Sequence, residues 1–566
     1  MLTIQPPWKR FPATSADYEY NTLNTQRNEI RLLKIRPSLR SKDPISCSLR
    51  VVSFDDVSLP KYVALSYCWG NGRADQPIHC DGSIIRVTSD LLDALRSLRK
   101  LSRRYLWIDQ ICVNQEDLEE RSSQVSLMRR IYPGAFKTFL HLGPDDDFPC
   151  RPPDWLRLVL PLLIAGPWSG LAMMRGLSRL LMKSGVDGFE SRMEAFIDRP
   201  CYHRAWIIQE MSLSSNVEVI CGNITITWNQ FAGLANDYFA ECVQHAKVFP
   251  GTAYGIFGDY YNVTKPGRKQ GTNTLWSLLI LSNGVKASDP RDQIYTLLTL
   301  ASDTSDFPLP DYQLPVTKVF QDFATVLITK NHGPAMLSLS SCRAKDFSYP
   351  SWVPDWEQEF IGLRLEEFST FSAGSPNGSF NVQTGNYLST KGLIVDKILW
   401  VYSHREEEDF NAFEIFEKLL DLVNNTAAAI QNEPEVLRSG FSWSSVVDLH
   451  LMLILYLVFD HEGGVLSENL RRGYDDKGYN FMKCLQQLAQ RGRFAITVAG
   501  RLCLMPQDVR PGDRIAIILG CRAPYVLRED GDGDVFVNIG ETYIRGLMNG
   551  EVLGDERYKV QEIHIH

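Results

Sequence analysis

Over the first 222 residues the apolar positions follow two alternating rhythms, short unbroken runs and stretches with helical spacing. Tyr62–Gly70 (YVALSYCWG), Tyr105–Asp109 (YLWID), Lys137–Leu142 and Val217–Cys221 are runs of β-prone residues without polar alternation, as in strands buried on both faces. Between them, Thr88-Ser89-Asp90 precede Leu91, Leu92, Leu95 and Leu98, a spacing that predicts a capped amphipathic helix. A second helix is expected after the loop Gln110–Asn114, with Asn114 or a neighbour as N-cap and Val125, Met128, Ile131 and Tyr132 on one face. A third, short one covers residues 204–213. Strands alternating with helices predict an α/β fold, a doubly wound parallel sheet over about residues 61–222. Residues 1–60 read as an irregular lead with two strand-like pieces, Glu29–Ile35 and Ser46–Phe54. The stretch 145–199, rich in Pro, Gly, Leu and Met, reads as an insertion with its own helix.

Beyond Gly222 the rhythm changes. Helical spacing is expected at 228–245, 274–283, 290–302 and 315–331, and again at 411–432, 444–459 and 478–491. Asn386–Trp400 and the stretches 494–504, 514–519, 524–529 and 534–544 read as strands of a small sheet or barrel. The division that follows is a lead (1–60), a first domain (61–302), a helical or irregular middle region (303–385) and a C-terminal α+β module (386–566). Asp289-Pro290-Arg291-Asp292 opens the helix expected at 290–302 and reads as N-cap, Pro in the first turn and acid, a structural start rather than chemistry. Asp530-Gly-Asp-Gly-Asp534 with Glu541 imitates the carboxylate spacing of a calcium loop. Val535 stands where that loop needs Gly and no helices flank it, so a hairpin turn is expected.

Charge narrows the function classes. The 566 residues carry 59 Lys and Arg against 67 Asp and Glu, a net −8 without a long run of either sign, which does not suggest a nucleic-acid partner. The first residues lack the apolar core of a signal peptide, and the longest apolar runs, near 156–164 and 447–459, fall short of the ~20 residues of a membrane span. A soluble protein kept in the cytoplasm is expected. No Cys-x-x-Cys pair occurs among the 12 cysteines, and Cys68, Cys221, Cys503 and Cys521 sit in apolar runs, as small buried hydrophobes do. No metal site is expected. Neither a Gly-x-Gly-x-x-Gly nor a Gly-x-x-x-x-Gly-Lys-Ser/Thr motif supports redox dinucleotide binding or a P-loop.

The candidate chemistry gathers at Arg204–Gly222 (RAWIIQEMSLSSNVEVICG), where one acid, Glu210, lies within an apolar helix. Trp206 sits one turn from it on the same face, and Ile207, Ile208 and Met211 form another. Two readings stay open: a surface acid leaning on a core Trp, or an acid lining a cleft, where burial would raise its pKa. Ser66 and Trp69 fall at or just past the end of the first buried strand and Asp109 ends the second, the edge at which open α/β sheets bind ligands. Against that, Asp109 can serve its own turn, and Trp69 and Trp107 suit a core. Cys112 and His141, both near strand ends, would make a thiol hydrolase pair unless the thiol is buried.

Four stretches in one order carry a resemblance. YVALSYCWG, Leu106–Gln115 (LWIDQICVNQ) with Gln124-Val-x-x-Met128 and Ile131-Tyr132, Arg204–Cys221, and Asp289–Leu298 (DPRDQIYTLL) together resemble the fungal heterokaryon-incompatibility (HET) domain family. Gly500–Pro506, Gly512-Asp513 and Gly540–Gly546 are similar to a module found behind HET domains. The resemblance implies non-self recognition and programmed cell death, a fungal counterpart of innate immunity, set off through protein partners or self-association. The family is in turn similar to Toll/interleukin-1 receptor (TIR) domains, many of which cleave NAD. Val63–Tyr67 looks like the first TIR strand, and Trp206-x-x-x-Glu210 looks like the TIR helix with the catalytic acid. The resemblance thus implies a TIR/flavodoxin-like core, with Glu210 as catalytic acid and Trp206 as stacking wall. Ser66, Trp69 and Asp109 would contact a nucleotide, with NAD as substrate and no prosthetic group. The alternative it leaves is a non-catalytic signalling and self-association module.

Overall fold

The structure, a computed structural model, describes residues 16–38, 40, 43–69, 72–99, 104–144, 199–222, 224–228, 273–340, 350–358, 365–367, 371–384, 386–401, 492–531, 535–544 and 546–566. The chain divides into two units, Met1–Glu241 with Thr252–Pro315, and Cys242–Gly251 with Val316–His566. The helices expected at 411–432, 444–459 and 478–491, all but residue 228 of that at 228–245, and the insertion up to residue 198 lie outside the described residues.

In the first unit the unbroken apolar runs become the middle of a nine-stranded sheet. Its elements are β1 (Glu29–Ile35), β2 (Ser46–Ser53), β3 (Tyr62–Tyr67), β4 (Gln76–Cys80), β5 (Ser83–Val87), α1 (Ser89–Leu98), β6 (Tyr105–Trp107), α2 (Asp109–Cys112) and α3 (Leu118–Gly134). They continue with β7 (Lys137–His141), α4 (Ala205–Leu213), β8 (Val217–Cys221), β9 (Ile224–Thr227), α5 (Leu275–Leu281) and α6 (Asp292–Leu298). The strand order is β5-β4-β2-β1-β6-β3-β7-β8-β9. β3 is buried at every position and lies parallel to both β6 and β7, and β7 lies parallel to β8.

The sheet is mixed rather than parallel throughout. β1 pairs antiparallel with β2 and with β6, so the strand pieces of the N-terminal stretch extend the same sheet. The connection from β1 to β2 is too short for a crossover, which needs a dozen or more residues, and so it closes as a hairpin. β4 and β5 form a second hairpin across Asp81-Gly82, both at positive φ (48° and 93°), the pairing that such tight turns favour. Thr88 caps α1 by accepting the Leu91 N–H at 3.3 Å. Asp117 caps α3, accepting the N–H groups of Glu119 and Glu120 at 3.0 Å each, whereas Asn114 instead turns the preceding loop by accepting the Glu116 N–H.

A buried ion pair braces the loop after β6. Arg31 on β1 is 1% exposed and forks onto Glu120 of α3 at 2.6 and 2.9 Å, while also donating to the Cys112 carbonyl at 3.1 Å. Glu120 in turn accepts the Asn114 N–H at 2.7 Å. Both ends of the loop therefore answer to one guanidinium.

The second unit contains α7 (Val316–Leu327), α8 (Gly333–Ser340), β10 (Asn381–Gln383), β11 (Tyr387–Val401), β12 (Gly492–Thr497), β13 (Leu502–Pro506), β14 (Arg514–Ile518), β15 (Tyr525–Asp530), β16 (Val535–Glu541), β17 (Tyr543–Ile544) and β18 (Gln561–Ile565). Its strands run β14-β15-β16-β18-β11-β12-β13-β17, and β11 also pairs with β14, closing β11, β14, β15, β16 and β18 into a ring. The 15-residue β11 pairs with four strands, β10, β12, β14 and β18, and its register shifts between Ile394 and Asp396 and between Ile398 and Trp400. The strand expected at 494–504 breaks into the β12–β13 hairpin around Gly500, at φ 74°. β15 and β16 form the hairpin expected at Asp530, residues 532–534 of its turn lying outside the described set. Gly374 lies flat on the barrel wall, where an added Cβ would stand 2.0 Å from the Ile518 carbonyl oxygen. Among the described residues no helix is long and apolar enough to cross a membrane.

The brace can be tested by truncation. Glu120→Ala leaves Arg31 buried and unpaired and is expected to destabilise the protein by about 3–5 kcal/mol in urea unfolding, whereas the double change Arg31→Met with Glu120→Leu recovers most of that loss.

Candidate functional site

Because β3 and β6 are adjacent and parallel, their carboxyl ends open on the same edge of the sheet. The Trp69 indole N–H donates to Asp109 at 3.0 Å, and the Gln110 backbone N–H donates to the other oxygen of that carboxylate at 2.8 Å. The Tyr67 hydroxyl donates to the Gln110 side chain at 3.0 Å. Gln115 closes the loop by donating to the Asp109 carbonyl at 2.9 Å. Asp109 thus serves its own turn and also joins the two strand ends.

α4 brings the remaining groups to this edge. Its apolar face, Ile207, Ile208 and Met211, is buried in the core. Arg204 precedes the helix in extended conformation and its guanidinium donates to the Tyr67 carbonyl. Glu210 is 2% exposed and accepts a hydrogen bond from the Ser66 hydroxyl, itself 1% exposed. Of the residues proposed from sequence, Ser66 meets Glu210 and Trp69 meets Asp109.

Burial dominates the electrostatics. It pushes the Glu210 carboxyl up to about 7, a shift that the Arg204 charge opposes, the Asp109 charge adds to, and the Ser66 hydrogen bond again opposes. Asp109 is also raised by burial, with Arg204, the Gln110 N–H and the Trp69 indole pulling the other way. Burial works to lower the Arg204 guanidinium, but Glu210 and Asp109 outweigh it and the net shift is upward. Two acids therefore share one base in a site where a carboxyl group titrates near neutrality, as an acid–base or charge-stabilising group requires.

Trp206 turns elsewhere. Its indole N–H donates to Asp292 of α6 at 2.9 Å. Asp292 is 3% exposed and also accepts from the Tyr312 hydroxyl and, at 3.3 Å, from Arg121. Burial pushes it up to about 6 against these donors. The structural reading of Asp289–Asp292 missed this residue. Asp289 grips Arg291 through two bonds of 2.8 Å, and α6 begins only at Asp292. A signal was present in the sequence, since an acid opening the apolar run IYTLL cannot face water if that whole turn is buried.

Cys112 and His141 do not make an activated pair. Burial drives the Cys112 thiol up to about 12 and the His141 imidazole down to about 4, so both are neutral and no thiolate–imidazolium pair is available. Among the described residues no group of three or more His, Cys, Asp or Glu is arranged to hold a metal ion, and the described cysteines are free thiols.

Folded Glu210 keeps its proton up to about pH 7, whereas the unfolded residue releases it near 4.5, so this group stabilises the fold most in acid and progressively less as pH rises to 7. Asp292 slopes the same way, and His141 slopes oppositely where the unfolded imidazole takes up a proton. Subtracting Glu210→Gln isolates the first effect. The variant is expected to gain on the order of 2–3 kcal/mol relative to wild type between about pH 4.5 and 7.5 in denaturant unfolding, and a difference independent of pH would contradict the burial argument.

Residues 62–210, opening on Tyr62 and closing on Glu210, match the family model of the heterokaryon incompatibility protein (HET), and residues 469–561 match that of the Het-6 β-barrel domain. The chain aligns with heterokaryon incompatibility protein 6, OR allele, of Neurospora crassa at 25% identity, covering 94% of this chain and 96% of that protein. No solved structure matches. A HET region ahead of a Het-6 barrel, together with similarity over nearly the whole length to a Neurospora crassa heterokaryon incompatibility protein, makes this chain similar to the fungal heterokaryon-incompatibility (HET) domain proteins.

Proposed function

We propose that this chain acts in the cytoplasm in fungal non-self recognition and regulated cell death, and that its HET unit does so as a TIR-like NAD glycohydrolase. The observation that carries the enzymatic part is the buried Glu210 carboxyl, shifted to about 7 and bonded to Ser66 at the end of β3. The order of the parallel strands supports the TIR-like part: taken in chain sequence, β6-β3-β7-β8 reads second, first, third, fourth, as in flavodoxin-like sheets.

The chemistry asks little of the protein. The bond between nicotinamide nitrogen and ribose C1′ breaks with both electrons leaving on nicotinamide, which departs neutral and needs no acid. Water then bonds to C1′ and gives up a proton. A carboxylate beside the ribose stabilises the oxocarbenium-like transition state and takes that proton. Glu210 fills this role in its ionised form, and Trp69, Asp109 and Ser66 contact the nucleotide, whereas Trp206, expected as a stacking wall, is engaged by Asp292 instead.

A second reading makes the same cluster the internal pin of a non-catalytic module that signals by self-association. What favours it is the closure of Ser66 and Glu210, at 1% and 2% exposure.

Nicotinamide release and oligomer size measured together separate the two. The enzymatic reading expects release from the assembled protein that rises with pH to a plateau through a midpoint near 7 and falls by about two orders of magnitude or more in Glu210→Gln. Assembly with no release supports the adaptor instead, and full turnover by Glu210→Gln removes Glu210 from the mechanism.

A further inference from the structure

We propose that Asp292 is a positioning residue for Glu210, setting the rotation of α4 by accepting the indole N–H of Trp206 one turn before the acid. The inference rests on the reading of Glu210 as the working carboxyl. The residues matched to the HET family end at Glu210, more than 80 positions before Asp292.

α4 has only nine residues, and Arg204 gives it no side-chain cap. Beyond its apolar packing and the Ser66 bond to Glu210, its rotation is set by lateral bonds from residues 286–299. The Ala205 N–H donates to the Lys286 carbonyl at 2.8 Å, the Trp206 indole to Asp292 at 2.9 Å, and the Gln209 amide to the Thr299 hydroxyl. Asp292 is the buried charged member of this row.

Asp292 is itself fixed on its far side. One oxygen accepts from the Tyr312 hydroxyl, and the other is shared by Trp206 and Arg121. The Arg121 guanidinium also lies over the Tyr312 ring, 3.8 Å from its centre. Arg291 holds the carbonyls of Tyr312 and Leu314 at 2.7 and 2.6 Å. Asp292 therefore links the segment 311–314, where the first unit ends, to the helix bearing Glu210. A small rotation of α4 would move Glu210 relative to Ser66, Arg204, Asp109 and Tyr132, the polar and charged groups that face it.

The test follows the Glu210 proton in the full chain by difference infrared spectroscopy, as the titrating carboxyl band absent from Glu210→Gln. Trp206→Phe keeps an aromatic ring and removes the donor, and Asp292→Asn keeps the size and removes an acceptor. Each is expected to lower the Glu210 midpoint by about one pH unit as water reaches the loosened site, with the double variant shifting no further than either alone. An unmoved midpoint in folded Trp206→Phe overturns the proposal, since a merely structural Asp292 changes stability and leaves the midpoint in place. Trp206→Phe suffices should Asp292→Asn not fold. Nicotinamide release is read in parallel, so that a wild type with no release sinks the NAD reading while the titration still decides the positioning role.

Discussion

A carboxyl group withdrawn from water at the ends of parallel strands is the constraint around which the first unit is arranged. Burying a lone charge in a protein interior is unfavourable enough that the group must be paired, bonded or neutral. Among the described residues of the unit, Glu120, Asp292 and Glu210 are acids less than a tenth exposed, and each is treated differently. Glu120 is forked by Arg31 and receives a backbone N–H besides. Asp292 is surrounded by an indole, a phenol and a guanidinium. Glu210 has the Ser66 hydroxyl, with Arg204 opposing from a position it shares with Asp109. The first two brace the fold through several donors each, whereas Glu210 lies nearest to balance between its charged and neutral forms.

The braces explain why the poised group stays in place. Arg31 reaches from β1 to the loop behind β6 and so fixes where Asp109 stands relative to Trp69. Asp292 reaches from α6 to α4 and so fixes where Glu210 stands relative to Ser66. Strand ends supply the floor of the site, while elements far along the chain supply its alignment. The second unit solves a different problem. Its ring of strands leaves few edges open, and register shifts in β11 let one long strand pair along its length with several partners.

Much of the fold was legible along the chain because its signals are local. The Thr88 cap and the 3.6-residue spacing of Val125, Met128, Ile131 and Tyr132 reflect contacts within a few residues, and the unbroken apolar run Tyr62–Tyr67 marks a strand buried on both faces before its partners are known. The pairing of β1 against β6 and the Asp81-Gly82 hairpin were less plain. The first depends on a partner more than 70 residues away, and the second on a turn signal within a short, half-exposed stretch.

By itself the sequence determined which residue types stand at the strand ends, that one acid lies inside an apolar helix, and which runs must be buried. Tertiary structure alone decided that Ser66 meets Glu210 across 144 positions, that Trp206 faces Asp292 rather than standing free, and that Arg31 finds Glu120. The physical reason is range. Hydrophobic periodicity and capping act over one or two turns of chain, whereas desolvation and charge pairing depend on which distant groups the fold encloses together.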